Sequence, residues 1–323
     1  MSQKQFAGVD LDGVRGFVAV AERQTFADAA LSLNISASAL TRRIQRLETA
    51  IGTPLLERTT RRVALTPAGQ LFLPGAQRSL QELGAALRQV EDAGNTRVGQ
   101  IVVACIPTVA KQLLPRIIRD YRLHRPDVRI RMIDGTVEVV ARNVRDGTAD
   151  LGLTFPTLPE PDFVFDALVT DPYCLVCPTD HPLAQLSTVR WEDLKPYQLI
   201  ISGSGSGNRI ILDQALQSIN WQPERPVEIE HLTTSLGLVE AGLGISVVPQ
   251  SALPEEPRSR IAIRPLVDPV VARTIGLVRR RGVTLTPVAQ HFLRTVRRMA
   301  PELERESEEY SRRLAQLSSA GAK

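Results

Sequence analysis

The chain has 323 residues, 43% of them hydrophobic and 23% charged, with a formal net charge of +4. Such a length holds two or three domains with ample core, and no apolar run reaches the ~18 residues of a membrane span. Three cysteines give no disulfide framework, and His124, His181, His231 and His291 are too scattered for a metal site, so no metal, cofactor or membrane partner is expected. The start, MSQKQFAGVD, carries no apolar leader, and a cytoplasmic location is expected.

The charge is uneven. Residues 36–66 hold Arg42, Arg43, Arg46, Arg58, Arg61 and Arg62 against Glu48 and Glu57. A local cationic patch of this kind suits a polyanion, although many are only solvated surface.

Taken in order, Leu11, Val14, Phe17, Val18 and Ala21 form one stripe of a first helix over 11–23. Thr25-Phe26-Ala27-Asp28 is a capping-box pattern with Asp in the third place, and it opens a short helix containing Ala29, Ala30 and Leu33. Asn34 suits a left-handed turn residue and Ser36 a cap for the next helix. That helix stops at Gly52, with Pro54 beyond. Its apolar set Leu40, Ile44, Leu47 and Ile51 falls within about 60° of arc. Ser38, Arg42, Gln45 and Thr49 lie opposite, with Arg46 at the edge. Hydroxyl, guanidinium and amide groups on one face are those that bond base edges and phosphates in a major groove. The bland alternative is a solvated helix face; the short helix and tight turn before it favour a helix-turn-helix. Leu55 and Leu56 then anchor a hairpin-like wing with its tip at Thr59-Thr60-Arg61-Arg62.

Ala29-Ala30-x-x-Leu33, Ser36, Thr41, Ile44, Leu47-Glu48, Ile51-Gly52, Leu55-Leu56-x-Arg58, Arg61 and Leu65-Thr66-x-Ala68-Gly69 closely resemble the N-terminal signature of LysR-type transcriptional regulators. The match covers nearly all of residues 11–70. It departs at Ala37, Thr41 and Leu56, where the family commonly has Gln, Ser and Phe; at Ala37 a usual polar contact near the helix start is missing. The resemblance implies contacts to double-stranded DNA from Ser36, Ser38, Thr41, Arg42, Gln45, Arg46, Arg61 and Arg62.

Over 67–94, Leu73, Leu80, Leu83, Leu87 and Val90 are spaced as an a/d seam, with Pro74 and Gly75 expected to bend or delay the helix. The seam packs either on its own chain or on a partner; the resemblance implies a partner, and so a homodimer or homotetramer.

From residue 98 the order is strand 101–105, helix 107–121, strand 128–133, helix 135–145 and strand 150–154, a β-α-β-α-β unit with a parallel sheet. A second α/β region follows: strands at 163–170, 172–177 and 199–202, helix 205–218, strand 227–230, helix 233–241 and strand 243–248. A late strand at 272–279 and helix at 287–300 are expected to return to the first lobe. The element order gives two α/β lobes with a cleft between them, and the resemblance implies this same architecture: an α/β effector domain of two lobes, like the periplasmic binding proteins, behind an all-α winged helix-turn-helix domain and a linker helix. The expected domains are 1–66, the linker 67–95, the effector domain 96–300 (lobe 1 about 98–162 and 267–300, lobe 2 about 163–266), and a charged, frayed tail 301–323.

Ligands in such folds sit beyond strand C-termini, at helix N-termini. Ile106-Pro107-Thr108-Val109, Gly135-Thr136 and the run Ser202-Gly203-Ser204-Gly205-Ser206-Gly207 fit this position. For Thr108 and Thr136 the alternative is plain helix capping, and for the Gly/Ser run a flexible loop. The resemblance places a small-molecule effector, expected to be a small organic anion, at Thr108, Val109, Thr136, Ser202, Gly203 and Ser204.

No nucleophile, base and orienting acid cluster along the chain, so no catalytic residues are assigned. Two rival readings remain: a small-molecule binding protein whose N-terminus serves only assembly, and a redox sensor using Cys174 and Cys177. Against the second, an offset of three on a strand sends side chains to opposite faces.

Overall fold

The computed structural model describes residues 9–58, 63–94, 99–157, 160–254 and 260–320. Its contacts divide the chain into two units, Met1–Gly94 and Asn95–Lys323.

In the first unit, α1 (Leu11–Arg23) is capped by Asp10, whose carboxylate accepts the Gly13 N–H at 2.5 Å. Its buried stripe runs through Gly13, Gly16, Phe17 and Val20. The expected stripe is thus rotated: Leu11 is exposed, and Val20 takes the core place given to Ala21. Two glycines carry the i, i+3 positions, where no side chain signals burial. α2 (Phe26–Ser32) starts at Thr25, whose hydroxyl accepts the Asp28 N–H at 3.1 Å and donates to the Asp28 carboxylate at 2.5 Å. The acid answers the hydroxyl here, not the cap's backbone N–H. Asn34 takes φ 54°, and Ser36 caps α3 (Ala37–Ile51) by accepting the Ala39 N–H at 3.2 Å. Gly52 ends α3 at φ 79°, a conformation costly for any residue with a Cβ.

Leu40, Ile44 and Leu47 are buried with Phe17, Ala29, Ala30, Leu55 and Leu56; Ile51 stays at the rim. β1 (Leu56–Arg58) and β2 (Val63–Leu65) pair antiparallel, Leu56 opposite Leu65. The wing tip, with Arg61 and Arg62, lies outside the described residues.

α4 (Pro67–Gly94) runs through Pro74 and Gly75 without the expected delay. Pro74 is exposed, so the carbonyl left without its N–H partner faces water. The leucine seam divides. Leu73 and Leu80 pack with Phe72 and Ala76 on the core of their own unit, and the Phe72 ring lies 5.5 Å from that of Phe17. Leu83 and Leu87 are exposed. The side chain of Val90 lies outside the described residues.

The second unit begins with β3 (Gln100–Cys105), α5 (Pro107–His124), β4 (Arg129–Asp134), α6 (Val137–Arg145) and β5 (Leu151–Thr154), with β3 parallel to both β4 and β5. Next comes β6 (Phe163–Pro178), a single strand of 16 residues where two were expected. It is followed by β7 (Val189–Arg190), β8 (Leu199–Ser202), α7 (Gly207–Ser218), β9 (Val227–Ile229), α8 (Leu232–Glu240), β10 (Ile245–Pro249), β11 (Ile261–Val267), β12 (Ala272–Arg280) and α9 (Pro287–Ala320). The main path is β4-β3-β5-β12-β6-β10-β8-β9.

β6 belongs to both lobes. From Phe163 to Pro172 it pairs with β12, and from Tyr173 it pairs with β10. Pro172 lacks an N–H, but it stands where the strand exchanges partners, so no ladder bond is lost. The first lobe's sheet therefore extends to Pro172, past the expected boundary at 162. β12 and the start of α9 return to that lobe, with Phe292 and Val296 in its core.

α9 does not stop near 300. It continues past an exposed Pro301 to Ala320, and the expected frayed tail is a packed helix that touches both lobes. On the first lobe, Glu304 accepts the Thr170 N–H at 2.6 Å, Ser307 donates to the Thr170 carbonyl at 2.7 Å, and Glu306 pairs with Arg116 of α5. On the second, Gln250 donates to the Ser307 carbonyl at 3.0 Å and accepts from the Ser311 hydroxyl at 2.6 Å. Leu314 is buried beside Val176, Ile229 and Leu253.

Candidate functional site

In the first unit the outward face of α3 is built by what lies behind it. Leu40, Ile44 and Leu47 fix the rotation of the helix, so Ser36, Ser38, Arg42, Gln45, Arg46 and Thr49 are exposed. Ser36 and Ser38 bring their hydroxyl oxygens to 3.0 Å. Thr41 is half-buried and donates to the Ala37 carbonyl at 2.9 Å; Thr49 donates to the Gln45 carbonyl at 2.8 Å. These bonds leave both oxygens able to accept. Among the described residues Arg42 and Arg46 have no ion pair, whereas Arg43 turns inward to Asp12 at 3.1 Å. The arginines counted in the sequence are therefore not one patch.

Glu48 is a positioning residue that composition alone would count only as a negative charge. Its Oε1 accepts the backbone N–H groups of Leu55 at 2.8 Å and Leu56 at 3.1 Å, which ties the wing to α3. Thr66 closes the wing from the other side: its hydroxyl donates to the Pro54 carbonyl at 2.8 Å and accepts the Gly69 N–H at 3.0 Å, which also starts α4.

In the second unit a cavity of about 430 Å³ opens between the lobes. Four strand ends deliver helix N-termini to it: β3 to α5, β4 to α6, β8 to α7 and β9 to α8. Thr136 caps α6, accepting the Val139 N–H at 3.4 Å, and Ser206 caps α7, accepting from Arg209 at 3.1 Å. α5 and α8 have no side-chain cap. Uncapped N–H groups at a helix start favour an anion. Thr108, Thr136 and Ser202 line this one cavity.

The other three expected contacts do not line it. Val109 is fully buried in the lobe core, one helical step round from Thr108. Gly203 gives its N–H to the Ile229 carbonyl at 2.8 Å, extending the β8–β9 ladder, and Ser204 is exposed on the turn. Ser206 and Gly207 take their place, because α7 begins two residues later than expected. At Gly207 a Cβ would come within 2.9–3.0 Å of Val137, Phe155 and Thr157, so only glycine lets this helix start meet the first lobe so closely.

The floor of the cavity is Arg273, on β12. Its Nε donates to Asp171 of β6 at 2.9 Å; its other nitrogens donate to Asn208 at 2.7 Å, Thr108 at 2.8 Å and Ser251 at 3.0 Å. Asp171 also accepts the Ser251 N–H at 2.9 Å and hydroxyl at 2.6 Å. The guanidinium lies over the Phe155 ring, 4.7 Å from its centroid. One cation thus holds groups of both lobes where the strands cross. The sequence signal for it is faint: Asp171 shares its strand with Asp166, and Arg273 shares its strand with Arg279 and Arg280, so nothing in the run of residues singles out this pair.

The three thiols are buried. Cys174 and Cys177 face opposite sides of β6, in different core clusters. Burial pushes Cys105 and Cys174 up to about 12, each with a smaller push from a nearby aspartate, and Cys177 to about 11 against a lowering by Arg264. Such thiols hold little thiolate and are poor nucleophiles. No group of His, Cys, Asp and Glu fit to hold a metal occurs among the described residues, and no helix there is long and apolar enough to cross a membrane.

Known proteins share both units. The family model described as LysR substrate binding domain matches residues 94–301, and that of bacterial regulatory helix-turn-helix proteins of the lysR family matches residues 11–70. The uncharacterized HTH-type transcriptional regulator YbhD of Escherichia coli (strain K12) is 38% identical over 283 residues, 88% of this chain and 89% of its own. A full-length OxyR variant from Pseudomonas aeruginosa superposes with a TM-score of 0.64 at 26% identity, covering 90% of this chain and 95% of its own. Full-length CbnR complexed with its target DNA superposes with a TM-score of 0.62 at 25% identity, covering 90% and 100%.

Proposed function

This chain belongs to the LysR family of bacterial transcriptional regulators, DNA-binding proteins with an effector-binding domain, and from that premise we propose how its parts divide the work. α3 enters the major groove. Ser38, Arg42 and Gln45 reach base edges, Ser36 and Thr41 flank them, and Arg46 with the wing residues Arg61 and Arg62 holds phosphates. Residues 1–66 form the DNA-binding domain, 67–95 the linker, and the rest the effector domain. The observation that carries this assignment is the exposed polar face of α3, opposite a fully buried Leu40, Ile44 and Leu47. The DNA complex of CbnR supports it.

Leu83 and Leu87, left uncovered by their own unit, carry the linker seam to a second copy, giving a homodimer or a dimer of dimers. A small molecule with an anionic group binds the cavity through Thr108, Thr136, Ser202 and the uncapped starts of α5 and α8. It acts by favouring one arrangement of the lobes over another. The chain has no catalytic role, and it works in the cytoplasm, where bacterial DNA is. The expected redox alternative finds no support in three buried thiols of raised pKa.

Genome-wide mapping of bound DNA in a host expressing the full chain tests the reading. A small set of recurrent, pseudo-palindromic fragments is expected; uniform recovery of the genome at low salt would sink it.

A further inference from the structure

The cavity is polarised. Asp134 ends β4 and Glu230 follows β9, the two outermost strands of the sheet path, so the first and second lobes each bring one carboxylate to the far end of the cleft. Neither acid has a hydrogen bond or ion pair among the described residues. The lysine and arginine of the lining, Lys111 and Arg273, lie at the crossing end, while His231 stands next to Glu230 at the start of α8. Arg273 is neutralised by Asp171 at 2.9 Å. Lys111 of α5 places its Nζ 3.5 Å from the carbonyl of Leu253, beside the turn that carries Ser251.

A simple organic anion meets this gradient badly, since its far end would face two carboxylates. Without a ligand, closing the lobes brings Asp134 and Glu230 towards each other, and like charges resist it. A cationic group between them reverses the sign. It is also held by both acids only when the lobes are closed, which is the unequal binding of two states that control by a ligand requires. We propose that the effector is a zwitterion of amino-acid type. Its carboxylate lies at the crossing end, by Lys111 and the uncapped start of α5, and its ammonium lies between Asp134 and Glu230. This rests on the cleft being the effector site, as proposed above; a cavity of about 430 Å³ admits a compound of that size.

The test follows thermal unfolding of the full chain with matched probes: each proteinogenic L-amino acid, its 2-hydroxy acid and its amino amide. At least one amino acid is expected to raise the midpoint saturably, binding roughly tenfold or more tighter than both of its matched partners, in keeping with loss of one charged hydrogen-bond partner. Asp134→Asn and Glu230→Gln are each expected to weaken that binding while leaving the unliganded midpoint in place. The proposal is overturned if a hydroxy acid binds as well as its amino acid, if no amino acid shifts the midpoint, or if both variants bind unchanged. Thr136→Trp, which fills the cleft, separates the two levels. Binding that survives it lies outside the cleft and removes the underlying reading; binding lost there but indifferent to the ammonium removes only the zwitterion.

Discussion

Arg273 and Asp171 form an ion pair of 2.9 Å with both residues 3% exposed, and it joins the two strands that cross between the lobes. Removing one partner strands a buried charge. Asp171→Ala or Arg273→Ala is expected to cost about 3–5 kcal/mol of stability. The double change Asp171→Leu with Arg273→Met is expected to cost less than either, because no charge is left unpaired. Denaturant unfolding of the three variants decides it; a double variant as unstable as the sum of the singles would refute the account.

Glu48 serves two backbone N–H groups with one oxygen. Glu48→Ala is expected to lose about 1–3 kcal/mol for stranded donors in the partly buried wing base, while Glu48→Gln, which keeps a carbonyl oxygen, loses much less. Weakened DNA binding by the Ala variant at temperatures where it remains folded would tie the wing to recognition.

Arg42 and Arg43 are neighbours with opposite tasks. Arg42→Ala is expected to weaken binding to a mapped DNA fragment by about 1–3 kcal/mol if its guanidinium makes a bidentate base contact. Arg43→Ala, whose side chain faces Asp12, is expected to change affinity little. Fluorescence anisotropy at one fixed salt concentration reads both, and equal losses would show that the face is assigned wrongly.

The thiols give a pH dependence of stability. Unfolded, each ionises near 9.0; folded, Cys105 and Cys174 hold their protons to about 12 and Cys177 to about 11. Between these values the folded state binds more protons, so stability falls as pH rises above 9, by up to ~1.4 kcal/mol per pH unit for each thiol. At pH 8 iodoacetamide is expected to modify none of the three in the native chain and all three in denaturant. Rapid native labelling of Cys174 or Cys177, or a peroxide response lost in the double Ser variant, would reopen the redox reading.

The last turns of α9 are structural. Leu314→Ala empties a buried site and is expected to cost about 2–5 kcal/mol. Hydrogen exchange should rise in β6 near Thr170 and in the turn holding Gln250, the segments that α9 bonds directly. An unchanged exchange pattern would show that α9 merely lies on the surface.

The first unit was largely legible, because its signals are local. Caps, a turn residue and a 3.6-residue period all act within a few positions, and Thr25, Asn34, Ser36 and Gly52 do what their chemistry allows. The placement of Thr108, Thr136 and Ser202 beside one cavity was legible for the same reason, each sitting at a strand-to-helix junction. What the sequence hid is non-local. Arg273 meets Asp171 across 102 residues, and Ser251 and Asn208 join them only once the strands cross. Asp171-Pro172 reads as a break because proline usually ends a strand; only the change of pairing partner makes it harmless. The charged end of α9 reads as solvated, since Leu314 among so many acids and bases shows nothing of the lobe it covers.

The first 94 residues pack among themselves, so they can fold while the ribosome is still adding the remainder. The larger unit has no such head start. β12, which fills the gap between β5 and β6, and α9, which supplies Phe292 to one core and Leu314 to the other, are synthesised after both of those strands. Until they emerge, β5 and β6 present open edges that can pair with other nascent chains. A ribosome stalled short of residue 272 would therefore carry a finished DNA-binding head on an aggregation-prone body.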